Sequence, residues 1–409
     1  MKLSSCNSRS FRIGRLGLTC IVIAGSVWAQ GQSTSSTPST GGGLYTVTDL
    51  GTLGGTYSQP YVITNNRLIS GTASLSDGTQ HAVIWFEGQN FDIGKKGLGG
   101  ANSIAFGINH WAETVGEAET SIKDSEDFCG FQAMGLPSSS ARCLPFVWQY
   151  DVMKPLPTLG GNNGVANSIN NQGEVAGLAE TNEKDPNCPT PQVFRFEAVL
   201  WEKGQARELP TVGGDPDGVA FAINDNGAVV GASGDCSAFS QNLLVNLQPL
   251  HALLWEGGTV TDLGNLGGTG RGNGIVGLNI NRAGHVVGSS DLPGDAKFHA
   301  FLWTKATGMR DLGTLQGDVS SVGLSINDKD EVVGLSLDSN FNPTAFVRRD
   351  GVMMDLNKLI SGTSLLTLIQ ACSINSHGAI IGLAMDKSTG QFHGFLATPL
   401  GSKGSTSGE

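Results

Sequence analysis

Four histidines, His81, His251, His299 and His393, occupy one position of a recurring pattern, the first residue of HAV, HAL, HAF and HGF segments. Imidazole is the commonest metal ligand, so such a set invites a metal site. Ligands must, however, converge within bonding distance of one ion, and the other copies hold Leu144, Glu197 and Thr344 at that position. Copies of a repeat are held apart by the fold, so the histidines read as structural, each hydrogen-bonded to its neighbouring loop. Trp85, Trp148, Trp201, Trp255 and Trp303 follow at a fixed offset, with Arg348 and Ala397 in the other two copies. Sugar stacking needs exposed, adjacent rings. One tryptophan per copy at a strand end reads instead as packing between repeats.

No G-x-S-x-G, H-E-x-x-H or phosphate-loop pattern is present, which removes the signatures of nucleophile elbows, zincins and nucleotide hydrolases. Paired carboxylates would be the route to glycosidic chemistry. The segments entering each repeat offer few: Asp215 and Asp217 in the fourth copy and Asp318 in the sixth. Around them are the neutral groups Thr56, Asn102, Asn163 and Asn273, and one cation, Arg271. These segments read as a hydrogen-bonding surface. Asn102, Asn163, Asp217, Arg271 and Asp318 are the candidate ligand contacts, with no catalytic residue, metal ligand or cofactor assigned.

The elements that position these residues follow from self-similarity. Ile-Asn, followed seven residues after the Asn by Gly, recurs at Asn109, Asn170, Asn224, Asn281, Asn327 and Asn375, with a degenerate copy at Ile63-Thr64 and Gly71. Successive copies lie 45, 61, 54, 57, 46 and 48 residues apart, near the spacing of four-stranded propeller repeats. Each copy carries four strand signals. The first ends in Ile-Asn, a turn such as NNQG or NSHG leads to the second (EVAG, AVVG, AIIG), the third is the HAF-like segment, and the fourth is of VTDLG or RDLG type. Asn and the repeat Gly read as turn residues tolerating left-handed backbone.

Three residues before each Ile the side chain is small (Pro60, Ala105, Ala166, Ala220, Gly277, Gly323, Ala371), as crowding near an axis requires. Two before it stand Tyr61, Phe106, Asn167, Phe221, Leu278, Leu324 and Cys372, which are mostly bulky and suited to interdigitate between sheets. The chain begins on a lone fourth strand, Tyr45 to Leu50, and ends on a third, Gly394 to Ala397. This predicts an all-β, seven-bladed β-propeller with four antiparallel strands per blade, in which the N-terminal strand completes the last blade and removes its exposed edges.

Asp262-Leu263-Gly264 with Gly267-Gly268, Ile280-Asn281 with Val286-Val287-Gly288, and His299-Ala300-Phe301-Leu302-Trp303 resemble the extracellular HAF-repeat family over about residues 45–398. The resemblance implies a secreted bacterial protein of repeat architecture and carries over no catalytic residue.

The flanks agree with export. Lys2, Arg9, Arg12 and Arg15 precede the apolar run from Leu16 to Ala24 and then Val27-Trp28-Ala29, so 1–29 reads as a signal peptide. Residues 30–43 form a disordered linker, 44–398 the propeller and 399–409 a disordered tail. No later stretch is long and apolar enough to span a bilayer. Loss of the four basic side chains of 1–29 moves the formal net charge from −11 to −15, which repels phosphate backbones and excludes nucleic-acid partners. In an oxidising compartment Cys129 is expected to pair with Cys143 and Cys188 with Cys236, leaving Cys372 as a buried free thiol.

Between the repeat Gly and the His position the chain runs 10, 28, 20, 20, 11, 10 and 11 residues in successive copies. The three insertions are consecutive, at about 117–143, 178–196 and 232–250. They read as loops outside the blade cores that build up one sector of one face into a concave mouth, the expected ligand site. The resulting functional expectation is a secreted binding module for a polysaccharide, cell-envelope component or protein surface, against the alternative of a carbohydrate-active lyase or hydrolase.

Overall fold

The computed structural model describes residues 43–126, 128–129, 131, 136, 139–188, 190–237, 250–270 and 276–401. Its strands pair as antiparallel ladders in sequence order. The first unit comprises Gly54–Ile63, Ile69–Leu75, Gln80–Phe86 and Gln89–Asp92; the second Gly99–Ile108, Thr114–Lys123, Ala141–Gln149 and Val152–Pro155; the third Gly160–Ile169, Val175–Lys184, Phe194–Glu202 and Gln205–Glu208. The fourth unit runs from Asp217–Ile223 to Thr259–Asp262, the fifth from Val276–Ile280 to Gly308–Asp311, and the sixth from Ser320–Ile326 to Val352–Asp355. The last contains Leu366–Ile374, Ile380–Asp386 and Phe392–Pro399.

That last unit is completed by Tyr45–Asp49, which pairs antiparallel with Phe392–Pro399 along its whole length. Tyr45 is fully buried there, with the Arg349 guanidinium 5.3 Å from its ring centre. Among the described residues, five sheets have four strands, and an eight-stranded sheet joins the last and first units through one parallel pairing, Tyr57 with Phe392. Each unit's first strand packs on the first three strands of the unit before it, and Gly54–Ile63 packs in the same way on the last unit. This cyclic order of antiparallel ladders is a β-propeller, and Tyr45–Asp49 covers the edge of Phe392–Pro399 that would otherwise be open.

The repeat glycine has a different cause from the one its type suggested. Gly71, Gly116, Gly177, Gly231, Gly288, Gly334 and Gly382 lie inside second strands, opposite a register shift in the first. A Cβ at any of them would stand 1.8–2.2 Å from a carbonyl oxygen of the first strand. Close approach of two backbones, and not left-handed conformation, demands glycine here. The left-handed turn glycines are others, such as Gly173, Gly227, Gly284 and Gly378, at φ of 76–81°.

Each register shift steps over one residue: Tyr61, Phe106, Asn167, Phe221, Leu278, Leu324 or Cys372. A bulge re-aims its extra side chain, and all but Asn167 meet in one buried cluster to which every unit contributes. Tyr61 and Phe106 touch edge to face there, 5.0 Å between ring centres. The bulky residues therefore fill the centre, whereas the sequence placed them between sheets. It is the small ones, such as Ala105, Ala166 and Ala220, that lie in the clusters between neighbouring units.

The repeated asparagines also do more than turn the chain. Asn109 accepts from the N–H groups two and four residues on, as an Asx turn does, while its Nδ2 donates to the carbonyl of Asn170 at 3.1 Å. The donation passes around the ring: Asn170 to Asn224, Asn224 to Asn281, Asn281 to Asn327, Asn327 to Asn375, and Asn375 to Thr64, at 2.9–3.1 Å. Only the degenerate Thr64 cannot continue it. Asn66 bridges that joint instead, donating to the His110 carbonyl at 3.2 Å.

Candidate functional site

Each of the four repeat histidines bonds a neighbouring segment, as its residue pattern indicated. His81, His299 and His393 place Nδ1 2.8–2.9 Å from Asp92, Asp311 and Asp49, the aspartates that end the fourth strands, and His251 meets Asp215 at 2.8 Å. The HAF-like and DLG-like segments are thus two halves of one clasp. Tryptophans brace the next contact outward. Trp201 and Trp255 donate Nε1 to the carbonyls of Pro157 and Pro210 in the preceding unit, at 2.8 and 2.7 Å.

The insertions are less separate from the core than expected. In the second and third units they lengthen the second and third strands to ten and nine residues, against seven and seven in the first unit. Phe128 and Phe131, both inside the first insertion, are buried in the central cluster. The expectation of loops lying outside the blade cores is therefore corrected: the first insertion supplies part of the core, and the FCGF segment that carries Phe128 and Phe131 was the signal for it. Cys129 bonds to Cys143 and Cys188 to Cys236, the second bridge tying the third unit to the fourth. Cys372 is buried as expected, and its pairing lies outside the described residues.

Three of the candidate ligand contacts share one repeat position and one task. Asn102, Asn163 and Asp217 each use Oδ1 to accept the N–H of the preceding unit's third strand, from Gln80, Cys143 and Phe196 respectively, at 3.0 Å. They are latches across blade joints. Asn163 and Asp217 are fully buried, so they position the surface and do not present themselves to a ligand. Asp318 is half-buried, its carbonyl accepting from the Thr314 hydroxyl. Arg271 lies outside the described residues.

Around the latches is a set of buried acids that sequence reading did not bring together. At the joint of the second and third units, Asn163 Nδ2 donates to Asp124 at 2.5 Å and to Glu180 at 3.1 Å. Glu180 also accepts from Gln192 at 2.7 Å, and Glu126 accepts the Val193 and Phe194 N–H groups from across the joint at 3.1 and 3.3 Å. Glu126 and Glu180 are hydrogen-bonded to each other. Burial, reinforced by the Glu126 charge, pushes Glu180 up to about 8, and burial raises Glu126 as well.

The next joint repeats the plan with one change. Asp185 holds the position equivalent to Asp124, immediately after the second strand, and faces Asp217 where its counterpart faces Asn163. Burial, and then the hydrogen bond to Asp185, push Asp217 up to about 8. Beside it Glu197 is raised by burial to about 7, against the opposing pull of its ion-pair partner Arg195. The acids at each joint therefore share protons at neutral pH, beneath the insertions and away from solvent.

No protein-family model and no curated protein matches the chain. Among solved structures it is similar to TolB from Acinetobacter baumannii, at 12% identity and a TM-score of 0.39, over 85% of this chain and 65% of that one. It is also similar to AofleA from Arthrobotrys oligospora, at 10% identity and a TM-score of 0.38 over 78% of this chain and 90% of that one. The β-propeller domain of the Trilobed protease from Pyrococcus furiosus matches at 13% identity and a TM-score of 0.33, over 78% of this chain and 97% of that domain.

Proposed function

We propose that the chain is a secreted, seven-bladed protein of the HAF-repeat kind that binds a polysaccharide, a cell-envelope component or a protein surface through the sector carrying the three insertions. The observation that carries this reading is that the insertions are bound into one structure. The first reaches the second through Glu126 and the Val193 and Phe194 N–H groups, and the second is bridged to the third through Cys188 and Cys236. Loops that had merely drifted in length would carry no such cross-bracing, and rigid scaffolding of irregular segments is how binding surfaces are held. The sector's outer side offers Ile122, Lys123, Glu183 and Lys184 to solvent.

Binding is favoured over turnover because the carboxyls with raised pKa, Glu126, Glu180, Glu197 and Asp217, are all buried. A general acid must reach the leaving group, and these are covered. The test is capture from a panel of bacterial envelope polymers, with product release followed on the same panel. Saturable capture without new reducing ends or unsaturated sugars is the expected result. Sustained product release would replace this reading with the lyase or hydrolase one.

A further inference from the structure

Asp185, Cys188, Asp217 and Cys236 bring two sulfur atoms and one oxygen from each carboxylate within 4.8 Å of one another. The disulfide accounts for the cysteines but not for the acids, since a neutral bridge gains nothing from two buried carboxylates that are costly to desolvate. The latch does not account for Asp217 either. Asn163 makes the same Oδ1 contact one joint earlier and supplies in addition the donor that its partner Asp124 needs.

Both acids are held in the manner of monodentate metal ligands. Oδ1 of Asp185 accepts the Asn187 N–H at 2.8 Å and Oδ1 of Asp217 the Phe196 N–H at 3.0 Å, while Oδ2 of each is buried with no donor from outside the pair. Fixing one oxygen from outside leaves the other aimed as a ligand. Two thiolates and two carboxylate oxygens suit a tetrahedral zinc-class ion, whose ligand atoms lie about 3.3–3.8 Å apart. The separations here allow that arrangement once the S–S bond is open.

We propose that reduction of the Cys188–Cys236 bond converts this cluster into a binding site for one divalent zinc-class cation. The joint between the third and fourth units then has two closed forms: a disulfide with a proton shared by the acids, and two thiolates with a metal. A thiol or phosphine reductant supplies the two electrons, and two protons complete the thiols. The entering cation displaces those two protons and the one between the acids. Cys188 is only partly buried, which gives a reductant access. The inference is independent of what the insertion sector binds.

The test uses the protein reduced with a phosphine under anaerobic conditions, with Zn2+ and then Co2+ as probes. One equivalent of metal should remain after desalting in the reduced form and none in the oxidised form. Co2+ should show intense tetrahedral bands with sulfur-to-metal charge transfer. Asp185→Asn and Asp217→Asn should each weaken binding at least tenfold, whereas the Cys129→Ser/Cys143→Ser protein should bind like the parent. Asp217→Asn copies the Asn163 arrangement and should fold at least as stably, so its loss of metal cannot be blamed on misfolding. The proposal is overturned if the reduced parent retains no more metal than Cys188→Ser/Cys236→Ser. Parental affinity in both Asp→Asn proteins, or retention by the oxidised protein, overturns it equally.

Discussion

Two neighbouring joints of the ring are built from the same repeat positions and end in different chemistry. Between the second and third units an amide, Asn163, faces Asp124 and donates to both Asp124 and Glu180. Between the third and fourth a carboxyl, Asp217, faces Asp185, and Oδ2 of each is buried with no donor from outside the pair. A change of one amide for one carboxyl makes the latch itself one of the paired acids: Glu126 pairs with Glu180 at the first joint, and Asp185 with the latch Asp217 at the second. Stability alone would have kept the amide. The contrast sets the second joint apart as the one whose latch is itself an acid.

The largest effect expected from exchanging the two joints is Asn163→Asp. It would place a third buried carboxyl against Asp124 and Glu180 and remove the donor both use, and should cost about 3–5 kcal/mol in denaturant unfolding. A loss under 1 kcal/mol would show that the amide is not what satisfies this joint. The disulfides give the next comparison. Cys188 and Cys236 are 48 residues apart and Cys129 and Cys143 are 14 apart, so loop-closure entropy predicts a loss of about 4 kcal/mol for the first pair and about 3 kcal/mol for the second on replacement by serine. The reverse order would mean that the first insertion's packing of Phe128 and Phe131 depends on its bridge.

The converse exchange, Asp217→Asn, should raise stability at pH 7 by about 1–2 kcal/mol and flatten its pH dependence. The unfolded carboxyl releases its proton near pH 4, while the folded one holds it to about 8. The stability this group contributes is thus complete below pH 4 and declines as pH rises to about 8. Glu180 and Glu197 act in the same direction up to about 8 and about 7, so the variant should retain a reduced slope. An unchanged slope would mean that Asp217 is not protonated in the folded protein. Smallest is Thr64→Asn, which would supply the missing link of the asparagine belt toward Asn109. A gain of about 0.5–1 kcal/mol is expected in thermal or denaturant unfolding, and a loss would show that the Asn66 bridge to His110 already serves that joint.

Strand order, unit phase and the N-terminal closing strand were legible because turn chemistry and two-residue alternation repeat, so each unit checks the others. The role of Gly116 and its equivalents was not: residue type marks glycine as permissive, but the demand comes from the carbonyl of a strand bulged at Phe106, which only three-dimensional pairing reveals. Asn109 was legible as a turn residue for the same local reason, while its donation to Asn170 spans 61 positions. The acid pairs were hidden most completely. Asp217 stands out as a candidate contact, but its pairing with Asp185 appears only once the ring brings an insertion of one unit over the first strand of the next. Phe128 shows the opposite error, an insertion read as surface because its length was irregular, although its apolar residues pack centrally.

The central claim, that the cross-braced sector is the binding surface, is tested most directly by site-specific photocrosslinking during capture of envelope polymer or protein. A photoreactive side chain at Ile122 or Glu183 lies on the insertion side, and one at Trp111 or Arg282 lies at the first-to-second-strand turns of the opposite face; all four positions are exposed. Crosslinks to the captured ligand from Ile122 and Glu183, and none above background from Trp111 and Arg282, are the predicted result. Crosslinks from Trp111 or Arg282 alone would contradict the account and move the binding surface to the asparagine-belt face.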